Sequence, residues 1–445
     1  MKVESRSEPA PRPGSPDERR RLGQLLEDVR ARTLELCDGL SPEDCGAQSM
    51  TEASPIKWHL AHTSWFFETF VLAPSVAGFR PFHPEFSYLF NSYYNAIGER
   101  VARSRRGLIA RPSLDEVIEY RRHVDGRVRN LLDREQEIDG GVLELGCHHE
   151  EQHQELILTD LKHLLSLNPL RPAYRERIED SARSSALEFC AFDEGLRWIG
   201  HAGAGFAFDN ESPRHRVFVD AFELASRPST NGEYLEFIAD GGYARPELWL
   251  SDGWDTVTSQ GWRAPLYWEA HGDRWRSFTL SGVRDIDPHE PVCHVSYYEA
   301  DAFARWSSAR LPREAEWEAA ASECASSGQR AVEGHFAESG RFHPRATEMP
   351  PRSQRLHESR DSRKLPRAMF GDVWEWTQSA YGAYPGYAPA EGALGEYNGK
   401  FMCNQMVLRG GSCASTRSHL RATYRNFFPP AARWQFSGIR LARDV

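Results

Sequence analysis

"HHEEQHQELILTDLKHLL", residues 148–165, decides the N-terminal fold. It reads as one helix, polar at its start and apolar in its second half. His149 and His153 stand four residues apart and so project from one face. Gln152 shares that face and Leu156 continues it, which turns the face toward a core. His148 lies about 100° round from His149 and is the weaker candidate. Two inward imidazoles are either core histidines with hydrogen-bond partners or metal ligands.

Working outward, three further helices are expected. Ser15-Pro16-Asp17-Glu18 is a capping box with proline at the first helical position, opening a helix to about Cys37 that stops near Gly39. Ser54-Pro55 opens a second, "PIKWHLAHTSWFFETFVL". Ser113 with Glu116 caps a third, to about residue 133, and Gly141 precedes the fourth. Four such helices suffice for a four-helix bundle. The connection over 73–112 is long but aromatic and specific ("HPEFSYLFNSYYNAIGERVARSRRG"), so it is expected to be ordered and to cover something.

The second helix carries His62 on the stripe of Trp58 and Trp65, its buried face. Facing helices of a bundle bring side chains to one centre, and His62, His149 and His153 form a plausible facial set. His59 sits on another face and reads as structural. Glu155 follows His153 by two positions and points elsewhere, as a second-sphere group or a solvated charge. Three neutral nitrogens suit zinc, copper, iron or nickel, and spacing alone leaves these open.

The chain is 445 residues long, 40% apolar and 27% charged, with formal net charge −10. That is ordinary for a globular protein of two or three domains, and the acidic balance argues against nucleic acid as partner. "MKVESRSEPAPRPGSPDERRR" at the start has no apolar core of a signal peptide, and no apolar run reaches the roughly 18 residues of a membrane helix. Eight cysteines, at 37, 45, 147, 190, 293, 324, 403 and 413, form no CxxC. A cytoplasmic protein, monomeric in the absence of a readable heptad or apolar patch, is the expectation. Residues 1–14 read as a disordered tail, 15–167 as the helical domain and 168–187 as a polar linker. Residues 188–445 read as an α+β domain rich in Gly, Trp and Tyr, with strands such as "HRVFVDAFEL" and helices at about 230–240 and from 296.

"SPIKWHLAHTSWFFETFVL" and "HHEEQHQELILTDLKHLL" resemble the DinB-like domain of the ergothioneine-biosynthetic sulfoxide synthases. The second half resembles the formylglycine-generating-enzyme-like, or sulfatase-modifying, domain. "PVCHVSYYEADAFARWSSARLPREAEWEAAA", "FGDVWEWTQS", "VLRGGSCAS" and "YRNFFPPAARWQFSGIRLARD" carry that likeness. The pairing covers about residues 18–445 and is more specific than any one motif. It implies an α+β multidomain fold: a DinB-like four-helix bundle and a formylglycine-generating-enzyme, C-type-lectin-like domain.

The resemblance also implies an activity. Its members use a three-histidine ferrous iron and O2 to join a thiol, cysteine or γ-glutamylcysteine, to C2 of the hercynine imidazole, oxidising the sulfur to a sulfoxide. Carried over, the Fe(II) ligands are His62, His149 and His153, and Tyr93 and Tyr94 match the tyrosine pair beside the iron in one subgroup. Gln152 matches the glutamine that bonds the hercynine ring. Arg103 and Arg106, in "VARSRRG", are candidates for the carboxylate of the thiol substrate, against the plainer reading of a solvated basic run. Asn426 and Phe427 match the segment that approaches the betaine, where an aromatic face suits a quaternary ammonium. Phe428 stands where some relatives have an acidic residue.

Formylglycine-generating enzymes use a cysteine pair late in this domain. Here Cys413 has no second cysteine in the thirty-two residues that follow, so the domain is expected to be a scaffold. The Trp and Glu residues of "GDVWEWT" and "RLPREAEWE" then read as core and buried hydrogen-bonding groups. Three alternatives remain: a selenoneine synthase using a selenosugar, a DinB-like zinc or nickel thiol transferase, and a lectin-like module with a structural metal.

Overall fold

The structure, a computed structural model, describes residues 14–134, 138–179, 182–203, 205–326, 332–348 and 364–445. The expected disordered tail, residues 1–14, lies outside the described residues except for Gly14. The chain divides into two compact units. One takes the chain through Ile157 with Ala202–Phe208 and Gly392–Glu396; the other takes Leu158–His201, Asp209–Glu391 and Tyr397–Val445.

The first unit is helical. Its first long helix, Pro16–Glu35, starts where Ser15 Oγ accepts the Glu18 amide, and it buries Leu22, Leu26, Val29, Arg30 and Thr33. That spacing of three and four residues is one face of a helix. The second, Ile56–Phe67, is buried on every side; it runs into a π-helical turn at Glu68–Leu72 and ends at Ser75. Such π-turns often mark functional segments. Here the turn aims the buried Glu68 carboxylate at the Tyr120 hydroxyl, 2.6 Å away, and at the Phe82 amide, 2.8 Å away. The third helix, Leu114–Asp133, is held at its start by reciprocal bonds between Ser113 and Glu116. The fourth is Gly140–Leu167, of which the residues through Ile157 belong to this unit.

Gly146 sets how closely the second and fourth helices approach. A β-carbon there would stand 2.5 Å from Phe67 Cε1, far inside van der Waals contact. The long connection carries a helical turn at Phe86–Phe90 and a 3₁₀ turn at Arg103–Leu108. A short capped helix at Pro42–Gly46 joins the first two long ones.

The second unit mixes strands and helices. Its central sheet runs Asn426–Phe428, Met406–Arg409, Trp374–Ala380, Ser437–Gly438, antiparallel except for the last pair. A second sheet pairs Phe222–Ala225 with both Phe189–Phe192 and Ala442–Asp444. "HRVFVDAFEL" is two strands, not one: His215–Val219 pairs with Gly195–Ile199, while Phe222 onward joins the other sheet. The anticipated helices form at Asn231–Ala239 and Tyr297–Trp306. Ser251–Gln260 and Glu314–Ser326 are additional. Of the stretch read as a linker, the Tyr174 and Arg175 amides donate to the Leu280 carbonyl and the Ser185 amide donates to the Thr347 carbonyl.

The Trp- and Glu-rich motifs build the core of this unit. Trp317 Nε1 donates to Glu375 at 2.7 Å, and Arg440 spans the same carboxylate. Arg409 bridges Glu314 and Glu318, and Arg425 adds a second cation on Glu314. Every charge in this cluster has an opposite partner, the condition under which buried charge is tolerated.

Candidate metal centre

His62 on the second helix and His149 and His153 on the fourth meet inside the first unit, 0%, 2% and 8% exposed. One ring nitrogen from each lies within 4.8 Å of the others. The Nε2 atoms of His62 and His149 are 3.2 Å apart. Two ligands at about 2.0–2.1 Å from one ion, at octahedral or tetrahedral angles, have nitrogens about 2.8–3.4 Å apart. The observed spacing falls inside that window.

The tautomers suit the same role. His62 Nδ1 lies 2.6 Å from the Phe90 carbonyl, which can only accept, so Nδ1 carries the proton and Nε2 keeps its lone pair. Burial pushes His62 well below the usual histidine range, and the neighbouring His149 adds to this. Burial likewise takes His149 down to about 3, and it is the main cause of the large lowering at His153. Three neutral imidazoles with converging nitrogens form a donor set for a borderline divalent metal, so the residues fit the iron that the sequence suggested.

Two further layers hold the triad. On one side the Trp58 ring stacks on His62, with centroids 4.5 Å apart and planes 12° apart, and Trp65 flanks it at 5.5 Å. Behind the ligands, Glu150 is fully buried. Its carboxylate accepts from Arg30 at 2.9 Å and from Thr33 at 2.6 Å, and pairs with Arg121. Burial raises its pKa, but the two guanidinium groups outweigh that and hold it at about 2.

The other sequence candidates fall as follows. Tyr94 is buried against Trp65 and Phe70, and Tyr93 stacks on it at 4.6 Å. Trp65 thus touches both Tyr94 and His62. Gln152 is half-buried on the ligand helix. Arg106 is 3% exposed: its guanidinium lies over the Trp58 ring at 3.4 Å and donates to Ser54 Oγ at 2.9 Å. Arg103 is exposed at the start of the same 3₁₀ turn. Asn426 and Phe427 lie in the second unit on a strand of the central sheet. There Phe427 stacks on Tyr381 at 4.0 Å and lies 5.9 Å from Phe401.

Sequence reasoning missed His59 as a neighbour of the ligands. Its Nδ1 lies 2.7 Å from His153 Nδ1. The signal was present, since His59 precedes His62 by one helical turn, but the choice of face set it aside. His148 turns away, bonding Glu151 at 2.8 Å and stacking on Phe206. Arg30, Arg121 and Glu150 were also missed, because nothing local marks charges on three helices as partners.

Comparison with known proteins identifies both domains. Residues 25–157 match the DinB superfamily, and 175–445 match the sulfatase-modifying factor enzyme 1-like domain. The chain is thus an enzyme-type fusion of a DinB-class helical unit with a sulfatase-modifying-factor-like one. It is 33% identical to the hercynine oxygenase of Mycobacterium tuberculosis, over 94% of this chain and 98% of that protein. It is 32% identical to that of Mycolicibacterium thermoresistibile, over 96% and 95%. Ergothioneine biosynthesis protein 1 of Schizosaccharomyces pombe is 27% identical over 54% of this chain and 28% of that protein. The chain belongs to the hercynine oxygenase family. Among the described residues no helix is long and apolar enough to cross a membrane.

Proposed function

We propose that this protein is an Fe(II)- and O2-dependent sulfoxide synthase of ergothioneine biosynthesis. It would join a thiol, cysteine or γ-glutamylcysteine, to C2 of the hercynine imidazole with oxidation at sulfur. The observation that carries this reading is the buried triad of His62, His149 and His153, whose 3.2 Å Nε2 spacing matches two ligands of one ion. Relatives that span nearly the whole chain and are named hercynine oxygenase support the substrate and the oxidant.

His62, His149 and His153 would hold ferrous iron, which would supply the thiolate and O2 chemistry when bound. The chain's own residues do the remaining work. Neutral His62, His149 and His153 contribute lone pairs without adding charge. The stacked pair Tyr93 and Tyr94 is assigned to proton donation, one hydroxyl delivering a proton so that sulfur bonds to carbon instead of being fully oxidised. Gln152 is assigned to the hercynine ring nitrogen and Arg103 and Arg106 to the thiol substrate's carboxylate. The aromatic walls, Trp58, Trp65 and Phe66, exclude water from the triad.

The test is anaerobic ferrous reconstitution, then O2, hercynine and cysteine, with products read by mass spectrometry. Hercynylcysteine sulfoxide is the expected product. Product only with γ-glutamylcysteine or a selenosugar would keep the iron reading and change the thiol or selenol donor. No O2 consumption with any donor would favour a zinc or nickel thiol transferase.

A further inference from the structure

The buried contact between His59 and His153 has chemical content beyond packing. Both side chains are enclosed, at 2% and 8% exposure, and their Nδ1 atoms lie 2.7 Å apart. Two ring nitrogens at that distance share one proton: one ring donates and the other accepts. Which ring donates determines where His153 keeps its lone pair. If His153 donates from Nδ1, its neutral ring leaves Nε2 free for a metal. If His59 donates instead, the His153 lone pair sits on Nδ1, occupied by the hydrogen bond, and Nε2 carries a proton.

The His62 arrangement shows which outcome the fold is built for. There the Phe90 carbonyl takes the Nδ1 proton at 2.6 Å and leaves Nε2 facing His149. His153 has an imidazole in the corresponding place. His59 and His62 both lie on Ile56–Phe67, so one rigid helix carries a ligand and the group that orients a ligand on another helix. His59 meets His153 at a 59° interplanar angle with centroids 5.0 Å apart. An in-plane hydrogen bond and not a ring stack fixes the rotation of His153.

We propose that His59 is a positioning residue of the metal centre. Its Nδ1 accepts the His153 Nδ1 proton and holds His153 in the tautomer and rotation that direct Nε2 toward His62 and His149. The inference rests on the metal-site reading above and extends it. Partners of metal-bound imidazoles fix ring orientation and raise ligand basicity, and their loss typically lowers metal affinity about 10–100-fold.

The experiment is an anaerobic Fe(II) titration, repeated with Co(II) for its visible spectrum, on the full-length protein and two variants. His59→Phe keeps ring volume and removes the acceptor; His59→Asn restores an acceptor oxygen near the Nδ1 position. The expected result is about 10–100-fold weaker binding for H59F, with most of the affinity recovered in H59N. H59F binding as tightly as wild type, or H59N as weak as H59F, overturns the proposal. Should the variants not fold, ¹⁵N imidazole spectra of the zinc-loaded wild type give the answer directly. A proton on His153 Nδ1 and a lone pair on His59 Nδ1 support the proposal, and the reverse assignment overturns it. A wild type that takes up neither metal overturns the metal-site reading first, which separates the two failures.

Discussion

The Glu150 carboxylate lies 2.9 Å from the Arg30 guanidinium on another helix, one position beyond the candidate ligand His149. Arg30 also bonds Asp125 at 2.6 Å, and Arg121 closes the set on Glu150. One buried acid, Glu150, one half-buried acid, Asp125, and two buried bases thus clamp the first, third and fourth helices behind the triad. Removing one member leaves a buried charge uncompensated, which typically costs about 3–5 kcal/mol.

Glu150→Gln should therefore lower unfolding free energy by a large part of that amount at pH 7. Its folded pKa of about 2 lies below the unfolded value of about 4.3. The wild-type advantage is then full above the unfolded value and is lost as pH falls through about 2. Urea unfolding of both proteins at pH 7 and pH 3 reads this; a gap that does not narrow in acid would place the stabilisation elsewhere.

His62→Ala, His149→Ala and His153→Ala should each abolish stoichiometric iron binding. Elemental analysis after anaerobic reconstitution and desalting measures it. Any variant retaining full occupancy removes that histidine from the site.

Tyr93→Phe and Tyr94→Phe should shift product from the sulfoxide toward cysteine sulfinate, with iron content unchanged. Product ratios by mass spectrometry decide; ratios equal to wild type in both would make the tyrosine pair a packing element. The variant with the larger shift identifies the donor.

Lys162, in the second unit, is 1% exposed; its ammonium donates to His294 Nε2 at 2.7 Å and lies over the Tyr267 and Phe436 rings. Burial takes its pKa down to about 8, below the ordinary 10.5. The unfolded chain therefore binds more protons between those values, and stability attributable to this residue rises from about pH 8 to about pH 10.5. Lys162→Met should be close to neutral at pH 7 and should lack that rise. Unfolding free energies of the two proteins across pH 7–10 compare them, and parallel curves would count against it.

Gly146→Ala should destabilise the first unit by about 1–3 kcal/mol, because the added methyl meets Phe67 at 2.5 Å. Helix propensity alone would favour alanine by about 1 kcal/mol. Thermal unfolding therefore discriminates: a higher midpoint would mean that the helices separate at little cost.

Much of this protein could be read along the chain. The four long helices announce themselves through caps at Ser15 and Ser113 and through apolar spacing. His149 and His153 share a face by helical period alone, and the stripe of Trp58, His62 and Trp65 named the third ligand candidate. Such features depend on neighbours a turn apart, so local sequence determines them.

What only the tertiary structure decided involves partners distant in sequence. "HRVFVDAFEL" looked like one strand, but its halves pair with different strands from other parts of the chain. The sequence offers Arg106 as a carboxylate ligand or as part of a solvated basic run, and only the fold shows it buried on Trp58, a ring 48 positions earlier. His59 looked like a bystander on the wrong face, yet it meets a histidine on another helix. Glu150 has its partners Arg30 and Arg121 on two other helices, which "HHEEQHQE" by itself does not show. A periodic pattern states which way a side chain points, whereas a hydrogen bond needs two groups within about 3 Å. That distance is set by how the helices pack, which no single stretch of the sequence encodes.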